Sequence, residues 1–269
     1  MEGALEKESI MRKACIAALA CVAGLVASSA RAQSAEEMGR AVFEAHRGAV
    51  ITIECVVKTK FSFQGRPAEE DESKIEATAT LISPEGLAVT ALSTVDPSDL
   101  YRGMGMGEDV QFDANITDAK FLMEGGAELP AELVLRDNDL DLAYFRVRAK
   151  PEQPLPHVDL SQSTKAQMLD RVLAINRLGK VANRVHSASF EWIEAVVEKP
   201  RTFYIPGNDP TNTSSGSPAF SLDGKLVGIF VVRALKSSGH DSQNNMLGIL
   251  LPAAEIAEGA GQVPPFETK

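Results

Sequence analysis

The sequence predicts an all-β protein in two halves, and three observations point there. Short β-branched runs bounded by Gly, Pro, Asp and Asn recur along the chain. Two pairs of these runs are joined by tight-turn residues, as antiparallel hairpins require. A proline-rich crossing over residues 150–165 separates two strand-rich stretches, each of about 100 residues and large enough for its own core. Strands at this spacing with few helices indicate a sandwich or a barrel, and two barrels are the natural division. With 44% hydrophobic and 24% charged residues, the composition is that of a folded chain and not a disordered one.

The amino terminus reads as a leader. Met11-Arg12-Lys13 is a short basic region, and Ala14 to Ala27 is an uninterrupted apolar run. Ala30-Arg31-Ala32 places small residues where a signal peptidase reads them. At about 14 residues the run is too short to span a bilayer comfortably. It also lacks the polar positions at a 3.6-residue period that a core helix shows. The polar, acidic ten residues before Met11 are foreign to such leaders, so translation is expected to begin at Met11. The expected product is exported, to the periplasm or outside the cell, without an integral membrane span in its mature part. Ala18-Leu19-Ala20-Cys21 resembles a lipidation site, but the apolar run continues past it. Cys15 and Cys21 fall in the leader, leaving Cys55 alone and without an internal disulfide partner. Cys55 lies in an apolar stretch and reads as a small buried hydrophobe.

After the leader, Glu36 to His46 has the pattern of a short amphipathic helix. Strands follow at Val50-Ile-Thr-Ile-Glu-Cys-Val-Val57, Ala79–Ile82 and Leu87–Thr90, the last two joined by Ser83-Pro84-Glu85-Gly86. Pro218–Leu222 and Leu226–Val232 repeat the design around Asp223-Gly224-Lys225. Lys7, Arg12, Lys13 and Arg31 outweigh Glu2, Glu6 and Glu8 by one, so the formal charge of −10 leaves −11 on residues 33–269. A body this acidic repels phosphate backbones, and nucleic acid is not an expected partner. The four histidines and Cys55 lack metal-ligand spacing, so no metal is expected. Gly103-Met-Gly-Met-Gly107 follows no strand–helix signature, and no cofactor is expected either.

Three segments in order carry a resemblance. They are Ala77-Thr-Ala-Thr-Leu-Ile-Ser-Pro-Glu-Gly-Leu-Ala-Val-Thr90, Ala131-Glu-Leu-Val-Leu-Arg-Asp-Asn-Asp-Leu-Asp141-Leu-Ala-Tyr-Phe-Arg-Val147, and Thr213-Ser-Ser215-Gly-Ser-Pro218 with the hairpin after it. Leu169–Ile175 and Met246–Pro252 add smaller matches. Together they resemble the trypsin-like serine proteases, in particular the bacterial HtrA/Deg group, over about residues 40–258. The resemblance implies two six-stranded antiparallel β-barrels with short terminal helices. The implied organisation is a leader at 1–32 and a protease-like domain at 36–260. Barrel one falls at about 45–150, barrel two at about 165–252, and a tail at 261–269.

The same resemblance assigns roles. Ser215 matches the nucleophile, with Gly216 and Pro218 in the turn that exposes it, and Asp141 matches the aspartate, with Asp137 and Asp139 as rival alignments. Thr213 stands where the family has a glycine facing the oxyanion, Ser214 replaces Asn or Asp, and Ser217 replaces a second glycine. A Cβ at 213 makes a preformed oxyanion hole harder to reach. The histidine position departs from the pattern. The family reads Val-Thr-Asn-Ala-His-Val-Val, and this chain reads Val89-Thr90-Ala91-Leu92-Ser93-Thr94-Val95, with Ser93 in the histidine's place.

That departure matters because a serine hydroxyl is a poor nucleophile until a base takes its proton. An imidazole has the pKa for the task, and a second hydroxyl does not. Losing the histidine from such a unit costs on the order of a millionfold in turnover, roughly 8 kcal/mol. The expectation is therefore a pseudoprotease that holds peptides or unfolded protein in the inter-barrel cleft without cutting them. One alternative is an active serine endopeptidase with a displaced base, drawn from His46, His157, His186 or His240, of which His186 and His240 are the two that could approach Ser215, or from Lys180 or Lys225. Another is a structural or assembly protein of the cell envelope that leaves the cleft unused.

Overall fold

A computed structural model describes residues 33–63, 69–98, 110–207, 215–234 and 246–266. Residues 33–37 precede the compact unit Met38–Lys269. They close a capping box: the Glu37 amide donates to Ser34 Oγ at 3.2 Å, and the Ser34 amide to Glu37 Oε2 at 3.1 Å. This cap starts helix α1, Ala35–His46, one residue before the amphipathic pattern places it.

Twelve strands follow among the described residues. Val50–Phe63 (β1), Glu69–Leu81 (β2), Leu87–Ala91 (β3), Val110–Leu122 (β4), Glu128–Asp137 (β5) and Leu142–Val147 (β6) close one barrel in the order β1-β2-β3-β6-β5-β4. Arg171–Arg177 (β7), His186–Val197 (β8), Phe203–Pro206 (β9), Pro218–Ser221 (β10), Leu226–Ala234 (β11) and Met246–Pro252 (β12) close the other in the order β10-β11-β12-β9-β8-β7. Every pairing within both barrels is antiparallel. The expected two six-stranded antiparallel barrels are thus present, with α1 before them and helix α3, Ala253–Gly261, after them. A single turn, α2 (Leu92–Val95), follows β3.

Period-two alternation explains both the cores and the seam between barrels. On β2, Ala77, Ala79 and Leu81 face the first core beside Ile51, Ile53, Cys55, Phe121 and Phe145. Burial pushes the Cys55 thiol up to about 12, which keeps it a neutral packing group. The intervening Thr78 and Thr80 are also buried, and they bond to the second barrel. Barrel two packs Val172, Ile193, Tyr204, Val227 and Leu250 inside. Val89, Leu142 and Tyr144 of barrel one meet Ile229, Val231 and Leu251 of barrel two in a shared cluster that α3 covers through Ile256. The Tyr144 hydroxyl donates to the Ile256 carbonyl at 2.9 Å, tying α3 to barrel one.

Strand β1 runs on to Phe63, well past the Val57 end of its apolar run. Its extension pairs with the acidic start of β2, where Lys58–Glu72 and Lys60–Glu70 sit across from each other at 3.4 and 2.7 Å. These exposed pairs fix register and add little stability. The first strand of barrel two begins at Arg171 and not at Leu169, because Leu169 has φ +71 and its amide caps back onto the Ile193 carbonyl at 2.7 Å.

Two histidines are built into this packing. His46 stacks on Phe220 at 4.2 Å, and its Nε2 donates to the Gly224 carbonyl at 3.0 Å. His186 donates from Nε2 to the Val50 carbonyl at 2.9 Å. Burial is the main cause that lowers both pKa values below the ordinary 6.5. The unfolded chain therefore binds more protons than the folded one as pH falls through about 6.5, and stability falls with pH there. The melting temperature is expected to drop between about pH 7.5 and pH 5.5, and His46→Phe is expected to flatten that drop. A melting temperature that is level or rises over this window contradicts the assignment.

Candidate functional site: the seam around Asp141

Strand β3 ends at Ala91, and α2 turns the chain so that Ser93 meets the β5–β6 connection. Two contacts hold Ser93 there: its amide donates to Asp141 Oδ1 at 2.6 Å and its hydroxyl to Asp141 Oδ2 at 2.9 Å. The Asp141 carbonyl accepts the Leu92 amide at 2.9 Å. From barrel two, the Val232 amide on β11 donates to Asp141 Oδ2 at 3.0 Å. Asp141 adopts φ +57, a left-handed conformation that aspartate tolerates better than most residues and that aims its carboxylate into the seam. One carboxylate thus ties α2, β6 and the second barrel together. The other end of α2 is fixed as well, since Asp96 pairs with Arg136 and accepts the Ser98 hydroxyl at 2.6 Å.

The rival carboxylates are placed elsewhere. Asp137 accepts the Leu140 amide at 2.9 Å within its own turn, and Asp139 is exposed. Asp141→Ala leaves the Val232 and Ser93 amides without their acceptor and is expected to cost about 2–3 kcal/mol in urea denaturation. Asp141→Asn keeps the left-handed backbone and one acceptor oxygen, so about half that loss is expected. A loss below about 0.5 kcal/mol in the alanine variant removes the carboxylate from its structural role.

Ser215 is half-buried in a turn that leads into β10. The next residue, Gly216, has φ +91, and its amide donates to the Phe230 carbonyl at 2.7 Å. Thr80 Oγ1 donates to the Gly216 carbonyl at 3.3 Å. A Cβ at 216 would lie 2.3 Å from the Thr78 carbonyl oxygen, 2.5 Å from Thr90 Oγ1 and 3.3 Å from the Ala91 amide. The turn carrying Ser215 therefore lies directly against the end of β3, two residues from Ser93. Ser217 is fully buried and its hydroxyl donates to Asn176 Oδ1 on β7. Thr213 and Ser214 lie outside the described residues, as does His240.

The seam depends on residues that the motif comparison passed over. Thr90 Oγ1 donates to the Thr78 carbonyl at 2.6 Å, and Thr78 Oγ1 to the Arg177 carbonyl at 3.2 Å. These threonines, with Asn176, form the floor under the Ser215 turn. Their only sequence signal is alternation: buried threonines between core alanines on a strand whose polar face has to go somewhere dry.

No described histidine is turned toward Ser215. His46 and His186 are committed to Gly224 and Val50, as above, and His157 Nδ1 meets the Leu155 carbonyl at 3.0 Å on the surface. Lys225 pairs with Asp223 at 3.1 Å, and Lys180 lies in the β7–β8 connection. The Ser215 turn lies against the end of β3, and the Asp141 carboxylate is held by Ser93, whose hydroxyl has no proton-accepting power at neutral pH.

The trypsin-like peptidase domain family matches residues 77–229. The chain is similar to the "Probable periplasmic serine endoprotease DegP-like" of Rickettsia conorii, 27% identical over 155 residues, covering 55% of this chain and 27% of that protein. It is also similar to a protein of the same description from Halomonas elongata, 31% identical over 160 residues, covering 53% of this chain and 32% of that protein. The chain thus matches a third or less of the length of these relatives.

Proposed function

The chain belongs to the trypsin-like peptidase domain family, and from that premise we propose that it is an exported pseudoprotease that binds peptide or unfolded-protein segments without cleaving them. The observation that carries the proposal is the pair of hydrogen bonds from Ser93 to Asp141. In this reading Ser93 occupies the place of the general base, Asp141 that of its orienting carboxylate, and Ser215 that of the nucleophile. In this reading the carboxylate joins the two barrels, and the residue it holds offers a hydroxyl where the reaction needs an imidazole.

Binding survives the loss of the base because the two functions use different atoms. An extended peptide adds to a protease-type cleft through main-chain hydrogen bonds, with pockets reading alternate side chains. None of these contacts needs an imidazole. The leader-like residues 11–32 support delivery to the periplasm or beyond, and the printed description of the relatives names a periplasmic protein.

The test combines chemistry and binding. A fluorophosphonate probe is expected to leave Ser215 unlabelled from about pH 6 to pH 9, since among the described residues no imidazole is hydrogen-bonded to it. Unfolded casein is expected to be retained on immobilised protein and recovered intact. Cleavage of casein that disappears in Ser215→Ala sinks the proposal and restores the reading of an active endopeptidase.

A further inference from the structure

A second site stands apart from the seam. A cavity of about 520 Å³ opens between α1, the β4–β5 turn and the β7–β8 connection, within the size range of ligand pockets. Arg177, the last residue of β7, lines it with only 9% of its surface exposed. Its Nε is buried without a hydrogen-bond partner, and among the described residues no carboxylate forms an ion pair with it. Its Nη1 lies 3.4 Å from His186 Nε2, but that nitrogen faces the Val50 carbonyl at 2.9 Å. A carbonyl only accepts, so Nε2 carries the hydrogen and offers Arg177 no lone pair.

Every other charge in the cavity wall is already matched. Arg47 pairs with Glu124 at 3.0 Å and with Glu44 at 3.2 Å. Arg184 forks onto Glu76, with Nε to Oε2 at 3.0 Å. Glu54 and Glu128 share Lys120 at 3.2 and 2.9 Å. The carboxylate that bears most on Arg177, Glu124, is the one held by Arg47. A buried guanidinium Nε without an acceptor is costly, and an anion that engages this guanidinium relieves part of that cost.

We propose that this cavity binds a single carboxylate carried on an apolar group, with Arg177 as its partner. Three features of the wall select that chemistry. The planar fork of arginine matches a carboxylate with two parallel hydrogen bonds. With Glu54, Glu124 and Glu128 already balanced by Lys120 and Arg47, Arg177 leaves a single positive charge over, which one negative charge balances and several do not. Phe43, Leu122 and Met123 supply an apolar side to the cavity. Val185, from the β7–β8 connection, adds a further apolar residue to the wall and is 52% exposed.

The probes are N-acetyl-leucine, its neutral amide, hexanoate and inorganic phosphate, each titrated into the full folded chain and read by calorimetry. N-acetyl-leucine is expected to bind saturably, and its amide about tenfold more weakly or worse. Hexanoate binding alongside it extends the ligand class to any apolar carboxylate, and binding of N-acetyl-leucine alone narrows it to an acylated amino-acid end. Arg177→Met is expected to lose carboxylate binding while its melting temperature holds or rises, because the buried charge is gone. Should that variant fail to fold, Val185→Asp decides: it adds a carboxylate at an exposed mouth position and is expected to weaken N-acetyl-leucine several-fold. Equal binding of acid and amide, unchanged binding in a folded Arg177→Met or in Val185→Asp, or binding of phosphate alone overturns the proposal.

Discussion

Ser93→His is expected to speed fluorophosphonate modification of Ser215 by about a thousandfold or more over the wild-type chain. The geometry for that gain is in place. Residue 93 already touches both oxygens of Asp141, and an imidazole on the same Cβ inherits a carboxylate to set its tautomer. The Ser215 turn lies against the base of α2, since a Cβ on Gly216 would come within 3.3 Å of the Ala91 amide. The gain is expected to fall short of the millionfold associated with a complete unit. Thr213, where the family has a glycine, is expected to weaken the oxyanion contacts that a full turnover needs. The labelling rate of the variant is expected to climb with pH through about 6.5, because only neutral imidazole accepts the proton. Adding Asp141→Asn to the variant is expected to remove most of the gain. Identical rates in wild type and Ser93→His, with both folded, take residue 93 out of the place assigned to it.

The second large effect is on stability. Gly216→Ala is expected to destabilise the chain by about 3 kcal/mol or more in urea denaturation. Two costs add. The backbone at φ +91 is strained for any residue with a Cβ. The new methyl group would also sit 2.3 Å from a backbone oxygen, Thr78, and 2.5 Å from Thr90 Oγ1. Neither neighbour yields easily, since Thr90 donates to the Thr78 carbonyl and Thr78 in turn to Arg177. Gly125→Ala separates the two costs. Gly125 has the same φ of +91 but nothing within 4 Å of its added Cβ, so about 1 kcal/mol of backbone strain is the whole expected loss. If the two variants lose the same amount, the contact between the Ser215 turn and barrel one is not as close as described.

Legibility varied along the chain for identifiable reasons. Apolar runs bounded by turn residues, such as Leu226–Val232 and Met246–Pro252, stand out because both faces of those strands are buried. β4 and β8, and the outer halves of β1 and β2, do not stand out. Their exposed faces carry Asp, Asn, Glu and Lys, and cross-strand pairs such as Lys60–Glu70 look like a solvated loop until the partner strand is known. Ser93, Asp141 and Ser215 each sit in a short stretch that resembles one family, and the structure bonds the first two together. Arg177 does not stand out, because an arginine at a strand end carries no mark of lacking a counter-ion.

The sequence by itself determined that the chain is all-β in two halves, and its resemblance to the trypsin-like proteases implied two barrels with a hydroxyl at residue 93 where the family has an imidazole. The first is a property of local pattern, and the second rests on short motifs matched residue by residue. Only the tertiary structure decided that the Asp141 carboxylate is engaged by Ser93 and Val232 together, that His46 and His186 are committed to other carbonyls, and that Arg177 Nε is buried without a hydrogen-bond partner. Each of these is a contact between segments from about 50 to well over 100 residues apart in sequence, or the lack of one. The closing of two barrels against each other sets such contacts, and the order of residues along any one strand does not.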